Sequence, residues 1–486
     1  MNPGKVGIIG SGIGGIASAI RLADKGCQVH VFEKNKEPGG KIASFKTNGF
    51  RFDMGPSLFT MPHYVDELFR IAGKDPAEHF KYDKLPLSCR YFFEDGTIIS
   101  AWSDPERFAE EIESQTGVKA NIVQKYLLEN ASRFNLIRDI FLFRSLHRFR
   151  NYLSRGYLKA YPHLLRLDAF MTMHGRNAQR FRNDRVVQLF DRYATYVGSD
   201  PYRAPATLNM ISHLEHNIGA FFPENGMVHI IQSLKDLAEE MGVVFHFDAV
   251  VERVLYDKRI KGLQVNGERT GFDHVVSNSD VNYSNSRLLG IRLPKPGAGR
   301  MSSSALIFFW GINRTFQELD LHNILFSSDY RNEFEHIFDL SDMCDDPTIY
   351  IFISSKQIRG DAPDGCENWF VMVNVPPFNG SDWKEKIQQA RSAVIRKINR
   401  HLNVHIEQHI LFEEILDPQG IEKRTFSFKG ALYGINSNSR FAAFNRHPNF
   451  MRKIRGLYFV GGSVHPGGGI PLCLASAKIV SNEFRP

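Results

Sequence analysis

Cysteine is scarce in this chain and never paired. Cys27, Cys89, Cys344, Cys366 and Cys473 are the five among 486 residues, an odd number with no C-x-x-C spacing. That excludes a disulfide framework and a structural zinc site, and it points to a reducing compartment. Long apolar runs are missing too. The longest uncharged ones, such as residues 305–312, fall far short of the roughly 18 residues of a spanning helix. The first strand candidate begins at Lys5, leaving no room for a signal peptide, so the expected location is cytoplasmic. No Ser-His-Asp order, metal-ligand cluster or glycosidase-like carboxylate pair stands out. No metal is therefore expected.

What remains is an ordinary globular composition, 43% apolar and 23% charged, in a chain long enough for two or three domains. Phenylalanine is abundant at 39 residues, with 16 tyrosines, concentrated in stretches such as 90–94 and 305–312, which can be ordinary core strands or the wall of an apolar tunnel. The net charge of +7 is uneven: residues 133–185 hold twelve Arg or Lys against three Asp, a local +9 that leaves −2 elsewhere.

Val6, Ile8 and Ile9 read as a short buried strand, followed at once by Gly10-Ser11-Gly12-Ile13-Gly14-Gly15. Ile16, Ala19, Ile20 and Ala23 recur at helical spacing, Gly26 stops the helix, and a second strand over 28–33 ends in Glu33. In such a strand–loop–helix–strand unit, G-x-G-x-x-G binds a dinucleotide. Gly10 permits the tight turn, Gly12 lets backbone approach a pyrophosphate, and Gly15 closes helix on strand. The helix N-terminus offers free N–H groups and the positive end of its dipole. Glu33 would accept hydrogen bonds from the adenosine ribose and repel the 2′-phosphate of NADP.

Two further stretches go beyond what an NAD domain needs. Residues 33–41, EKNKEPGGK, add a glycine pair, and 50–57, FRFDMGPS, add an Asp-x-Gly-Pro turn. In 221–280, Met227, Ile230, Ile231, Leu234 and Leu237 mark one helix face, stopped by Gly242. Strands follow at 243–247, 249–256 and 274–278, with a hairpin about Gly262 and Gly267. Near the C-terminus, a buried strand runs into GGSVHPGGGIP, five glycines between Gly461 and Gly469, and then a small-residue helix.

These motifs, in this order, resemble bacterial carotenoid desaturases of the phytoene desaturase type, in the FAD-dependent amine oxidase superfamily. The resemblance covers 5–69, 221–280, 301–312 and 456–484, and GGSVHPGGGIP matches the family's G-x-G-T-H-P-G-x-G-I-P. It implies an α/β fold in which a Rossmann-like FAD-binding domain (1–70, 215–290 and 450–486) is interleaved with a mixed-sheet substrate domain (71–130 and 291–449). A helical, basic, lipid-facing part would occupy 131–214. The implied FAD contacts begin with the loop of Gly10, Ser11, Gly12, Ile13, Gly14 and Gly15. They continue through Glu33 and Lys34, then Gly40 and Lys41, then Gly55, Pro56 and Ser57. Lys41 stands where the family has an Arg on the pyrophosphate, keeping the charge without the two-pronged geometry. Val251 would meet the adenine through its backbone, while Gly462, Gly469, Ile470, Pro471 and Leu472 would lie against the flavin end. Ser463 replaces a frequent Thr, and Leu472-Cys473 replaces a Gly-Val pair of phytoene-acting members, departures that bear on substrate choice. His465 has two readings, catalysis beside the flavin or packing that holds the loop. Cys473 is expected to be a small buried hydrophobe rather than a redox thiol.

The implied activity is FAD-dependent desaturation of an acyclic carotenoid. One hydrogen leaves as hydride to flavin N5 and its neighbour as a proton, with the target C–H held about 3 to 3.5 Å from N5. No general base is assigned. The chain is most similar to the branch that places a 3,4-double bond in 1′-hydroxylated carotenoids; phytoene or a related unhydroxylated precursor is the alternative. An amine oxidase and a flavin-free prenyl-lipid carrier like the GDP-dissociation inhibitors are further alternatives. The electrons would pass to oxygen or a membrane quinone. In 133–171, Phe134, Ile137, Phe141 and Leu142 share one helical stripe, with Arg138, Arg144 and Arg148 at its flanks. That is the pattern of a basic amphipathic helix on an anionic membrane surface, or else of a core-facing helix with a solvated basic side. Nothing resembles a base-reading module, so no nucleic-acid partner is expected. The expected location is cytoplasmic, peripherally associated with the cell membrane.

Overall fold

A computed structural model describes residues 4–153, 168, 170–291 and 300–484. In it Lys5–Ile9 is a strand whose Val6 and Ile8 are fully buried, as a strand covered on both faces requires. It is the centre of a five-stranded, wholly parallel sheet. The spatial order is Leu457–Phe459, His274–Ser277, Lys5–Ile9, Gln28–Phe32, Val244–His246. Three stretches far apart in sequence thus build one sheet, and the last of them seats Leu457 beside Val275.

One face of this sheet is covered by the helices Ile13–Ala23, His229–Glu240 and Ile470–Glu483, whose Ile16, Ile20, Leu234, Ala477 and Val480 share one core. Glu67 ties two of them together, accepting from Arg21 at 3.0 Å and Lys478 at 2.9 Å. The other face carries an antiparallel ladder of Val251–Tyr256, Ile260–Val265 and Glu268–Gly271. Leu263 and Phe272 press so closely on Gly7 that a methyl there would stand 2.9 Å from Leu263 Cδ1. The strand expected from residue 249 starts at Val251, and Glu33 sits one residue past the end of its strand.

A second, seven-stranded sheet stands beyond the first. Its order is Ile410–Leu416, Ser304–Ile312, Glu367–Val375, Ile349–Ile353, His322–Leu325, Leu87–Phe92, Ile98–Trp102. All pairs are antiparallel except His322–Leu325 with Leu87–Phe92. Ser304–Ile312 is buried along its whole length because both its faces and both its edges are occupied. Alternation along the strand sends Phe308 and Trp310 to a core shared with Val394 and Ile398 of the helix Lys384–Leu402. It sends Ala305 and Ile307 to the opposite face, toward the cavity described below.

The basic region is helical where it is described. Ala120–Phe141 is one helix, and its Phe134, Ile137 and Ile140 are buried, with Phe134 packed against the His213 ring. Phe141 and Leu142, expected on the same stripe, lie at its end and are partly buried. The apolar side of this helix therefore faces protein, and Arg138 lies on its open side. Arg155, Lys159 and Arg166 of the same basic stretch lie outside the described residues.

Candidate functional site

Strands of a parallel sheet open their carboxyl ends to ligands, and here those ends carry the expected loop. Gly10 adopts φ +89°, and a methyl on Gly15 would stand 2.2 Å from the Gly10 carbonyl oxygen, so only glycine closes this helix on its strand. Gly12 caps the helix without a side chain and no acid occupies the first turn, which leaves the positive end of the helix available. Ser11 is fully buried and does not line the cavity; its N–H and hydroxyl both donate to Glu33 Oε2 at 2.9 Å. Asn35 fills Glu33 Oε1 from its N–H at 3.0 Å and from Nδ2 at 2.7 Å. Four donors thus hold the carboxylate at the cavity wall, and a ribose hydroxyl has to share an oxygen with one of them. Lys34 lines the wall too, but its ammonium donates to the Lys423 carbonyl at 2.8 Å and lies 3.6 Å from the centre of the Phe426 ring.

The middle of the site is built by the second glycine pair and the Asp-x-Gly-Pro turn. Gly39 bridges to Gly12, and Gly40, at φ +60°, stands over it. A methyl on Gly55 would lie 1.8 Å from the Lys41 carbonyl, which makes this turn a glycine position. Pro56 and Ser57 continue along the wall. The Lys41 ammonium donates to the carbonyls of Leu432 at 2.5 Å and Ala431 at 3.3 Å. Burial lowers its pKa, and the neighbouring Asp280 opposes that shift. Asn278, at the end of its buried strand, touches both glycine loops. Methyls on Gly12 and Gly461 would come within 2.6 Å and 2.9 Å of its amide. Sequence reading named neither Asn278 nor Asp280 as a site residue, although the rule that ligands meet the carboxyl ends of parallel strands points to them. Val251 lines the cavity beside Ala249.

At the other end, the helix Ile470–Glu483 begins at Gly469, again without a side-chain cap or an acid in its first turn. Gly469 has φ +103°, and a methyl there would meet no atom within 4 Å, so it would project into the cavity. Gly462, Ile470 and Pro471 line the wall. Leu472 departs from expectation: it is not part of the wall, and its Cδ1 turns back toward Gly467. Cys473, one residue on, takes the inward position, and burial pushes its thiol up to about 11, which keeps it neutral. His465 also lies off the wall. It is buried behind the loop, bonds the Arg144 carbonyl through Nε2 at 3.0 Å, and is pushed down to about 4 by burial. Its placement is that of a packing residue. Ser463 Oγ accepts from the Val281 N–H at 2.9 Å, locking the loop to the 280 turn.

One cavity joins both loops. It then runs onto the inner face of the second sheet, over Ala305, Ile307, Ile324, Phe370 and Met372. The residues present fit FAD. An acid stands at the end of the second strand, two uncapped helix N-termini face one cavity, and at Gly469 a side chain would occupy the space.

A parallel nucleotide-binding sheet, a glycine-walled cavity and an apolar floor from a mixed sheet define an FAD-dependent oxidoreductase. The chain belongs to the flavin containing amine oxidoreductase family, which it matches over residues 13–483. It is 47% identical over 478 residues to a 1-hydroxycarotenoid 3,4-desaturase of Flavobacterium sp. (strain P99-3), covering 98% of each chain. It is 32% identical over 490 residues to a 4,4'-diapolycopene oxygenase of Methylomonas sp, covering 99% of this chain and 98% of the relative. The fold recurs in the crystal structure of an oxidoreductase from Methanosarcina mazei. That similarity has a TM-score of 0.66 at 15% identity, over 98% of this chain and 100% of the other.

Proposed function

We propose that the chain is an FAD-dependent desaturase that oxidises C–C single bonds of an acyclic carotenoid, with 3,4-desaturation of a 1′-hydroxycarotenoid as its reaction. The observation that carries this reading is the cavity, which leads from two glycine loops onto an apolar floor suited to a long hydrocarbon. Near full-length likeness to a 1-hydroxycarotenoid 3,4-desaturase supports the substrate class. Bound FAD supplies a two-electron acceptor for hydride, the chemistry the side chains lack.

Gly10, Gly12 and Gly14, with the N-terminus of Ile13–Ala23, would hold the pyrophosphate, and Glu33 the ribose. The Val251 backbone would meet the adenine, and Gly40 and Lys41 the middle of the cofactor. Gly462, Gly469, Ile470 and Pro471 would let backbone approach the flavin end. The sheet floor would hold the polyene and exclude water, a contribution of position rather than of acid or base. The two electrons must leave to an acceptor, oxygen or a membrane quinone.

A lipid-dissolved substrate calls for a mouth near lipid. No helix among the described residues is long and apolar enough to cross a membrane. Phe170 and Phe441 are 80% and 56% exposed, and the Arg440 guanidinium lies 5.7 Å and 5.2 Å from their rings. Phe444, also exposed, meets Phe141, whose helix leads to the exposed Phe149 and Leu153. This apolar group with its basic rim is the face proposed to lie on an anionic membrane.

Expression in hosts that accumulate defined acyclic carotenoids, followed by pigment analysis, tests the activity. A longer conjugated product from the hydroxylated precursor is expected. Unchanged pigment across all acyclic precursors overturns the assignment.

A further inference from the structure

The floor of the cavity changes character from one side to the other. In one register row Ile307 faces Met372, Met372 faces Tyr350, and Tyr350 faces Ile324. Three strand spacings, roughly 14 Å, thus lead away from Ser304–Ile312, the strand that binds the 430–432 turn beside the C-terminal glycine loop. At the far edge the wall becomes polar with Ser88, Arg192, Tyr196, Glu215 and His322.

Most of these groups satisfy one another. Arg192 holds both Glu215 oxygens, at 2.9 and 3.0 Å, and donates through Nε to the Tyr91 hydroxyl at 2.9 Å. Tyr196 closes the set on Glu215 and Arg192. His322 is different. Its Nδ1 pairs with the Tyr350 hydroxyl at 2.7 Å, and that hydroxyl lies 2.6 Å from Ser57 Oγ. The rings of Tyr350 and Phe352 stack on it, fixing its orientation. Its Nε2 has no hydrogen-bond partner among the described residues, although the residue is 2% exposed and lines the cavity. A buried polar atom without a partner is unfavourable and calls for one.

Burial pushes His322 down to about 3, so the imidazole is neutral at ordinary pH and offers one donor and one acceptor. If Nδ1 accepts from Tyr350, Nε2 is a donor; if Nδ1 donates, Nε2 is an acceptor. A hydroxyl answers either form. We propose that His322 Nε2 is the binding partner of a hydroxyl group on the end group of the polyene substrate, making this polar edge a specificity subsite. This rests on the carotenoid-desaturase reading. A hydrocarbon end group would leave Nε2 unpaired, and a site that loses a hydrogen bond in this way rejects the analogue.

The test uses the FAD-loaded protein and two acyclic carotenoids in liposomes, identical except for the end-group hydroxyl. The unaltered protein is expected to favour the hydroxylated one in kcat/KM by roughly tenfold to a hundredfold. His322→Phe is expected to erase that preference by lowering kcat/KM for the hydroxylated substrate alone, and His322→Gln to restore part of it. His322→Leu gives the same reading if the Phe variant does not fold. A preference that survives in the Phe or Leu variant, or an equal loss on both substrates, overturns the subsite and leaves the desaturase reading standing. Turnover of neither carotenoid by the unaltered protein overturns both.

Discussion

At the residue scale the site is governed by where side chains are not allowed. Gly12 faces the Asn278 amide so closely that an added methyl would come within 2.6 Å of Nδ2. Gly12→Ala therefore has to displace either the loop or Asn278, the residue that joins the two glycine loops. The expected outcome is at least a tenfold fall in bound flavin, read as visible absorbance relative to protein, with an unchanged circular-dichroism spectrum. Gly360→Ala is the control, since a methyl there meets nothing within 4 Å and no left-handed φ is involved. These glycines were legible in the sequence because their requirement is local: a positive φ, or backbone passing backbone within a few residues. Glu33 was legible for the same reason. Its companion Ser11, expected at the cofactor, directs both its N–H and its hydroxyl to the Glu33 carboxylate.

At the element scale, periodicity shows which face of a helix is apolar but not what covers that face. Ala120–Phe141 illustrates the difference, because its stripe could have met lipid and instead meets the core around His213. Ile137→Ala is expected to destabilise the fold by about 2–5 kcal/mol, as removal of a fully buried aliphatic side chain does. Leu128→Ala on the open side of the same helix, where Leu128 is 68% exposed, is expected to stay within about 0.5 kcal/mol. Chemical denaturation of the two variants beside the parent checks both values. The Ile470–Glu483 helix teaches a related lesson. Its Leu472 and Cys473 are neighbours in sequence, about 100° apart around the helix, and of the two it is Cys473 that faces the cavity. Which one does so follows from the angle at which the helix leaves Gly469.

At the scale of the whole molecule, the parallel sheet draws strands from 5–32, 244–277 and 457–459, and the second sheet stands between these returns of the chain. The cavity therefore lies where the two sheets meet, with cofactor-binding loops on one side and the apolar floor on the other. The exposed Phe149, Phe170, Phe441 and Phe444 likewise come from separate stretches. Co-flotation of the purified protein with anionic liposomes at low salt is expected, and it should weaken as salt screens the basic rim. Replacing these four phenylalanines with Ser should abolish it without changing flavin content. A parent protein that stays at the bottom of the gradient would remove the membrane-docking reading.

Short-range requirements were set by the sequence alone: the dinucleotide loop, the acid after the second strand, the glycine turn before the last helix, and the buried strands themselves. Each depends on backbone conformation or apolar periodicity within about thirty residues, so each leaves a pattern in the letters. The polar edge of the cavity leaves none. Ser57, His322 and Tyr350 come together from three elements, and Arg192 and Glu215 reach Tyr91 from two more. Only the packing of the two sheets decided that these groups share one wall, and that a single imidazole nitrogen among them is left to bind something else.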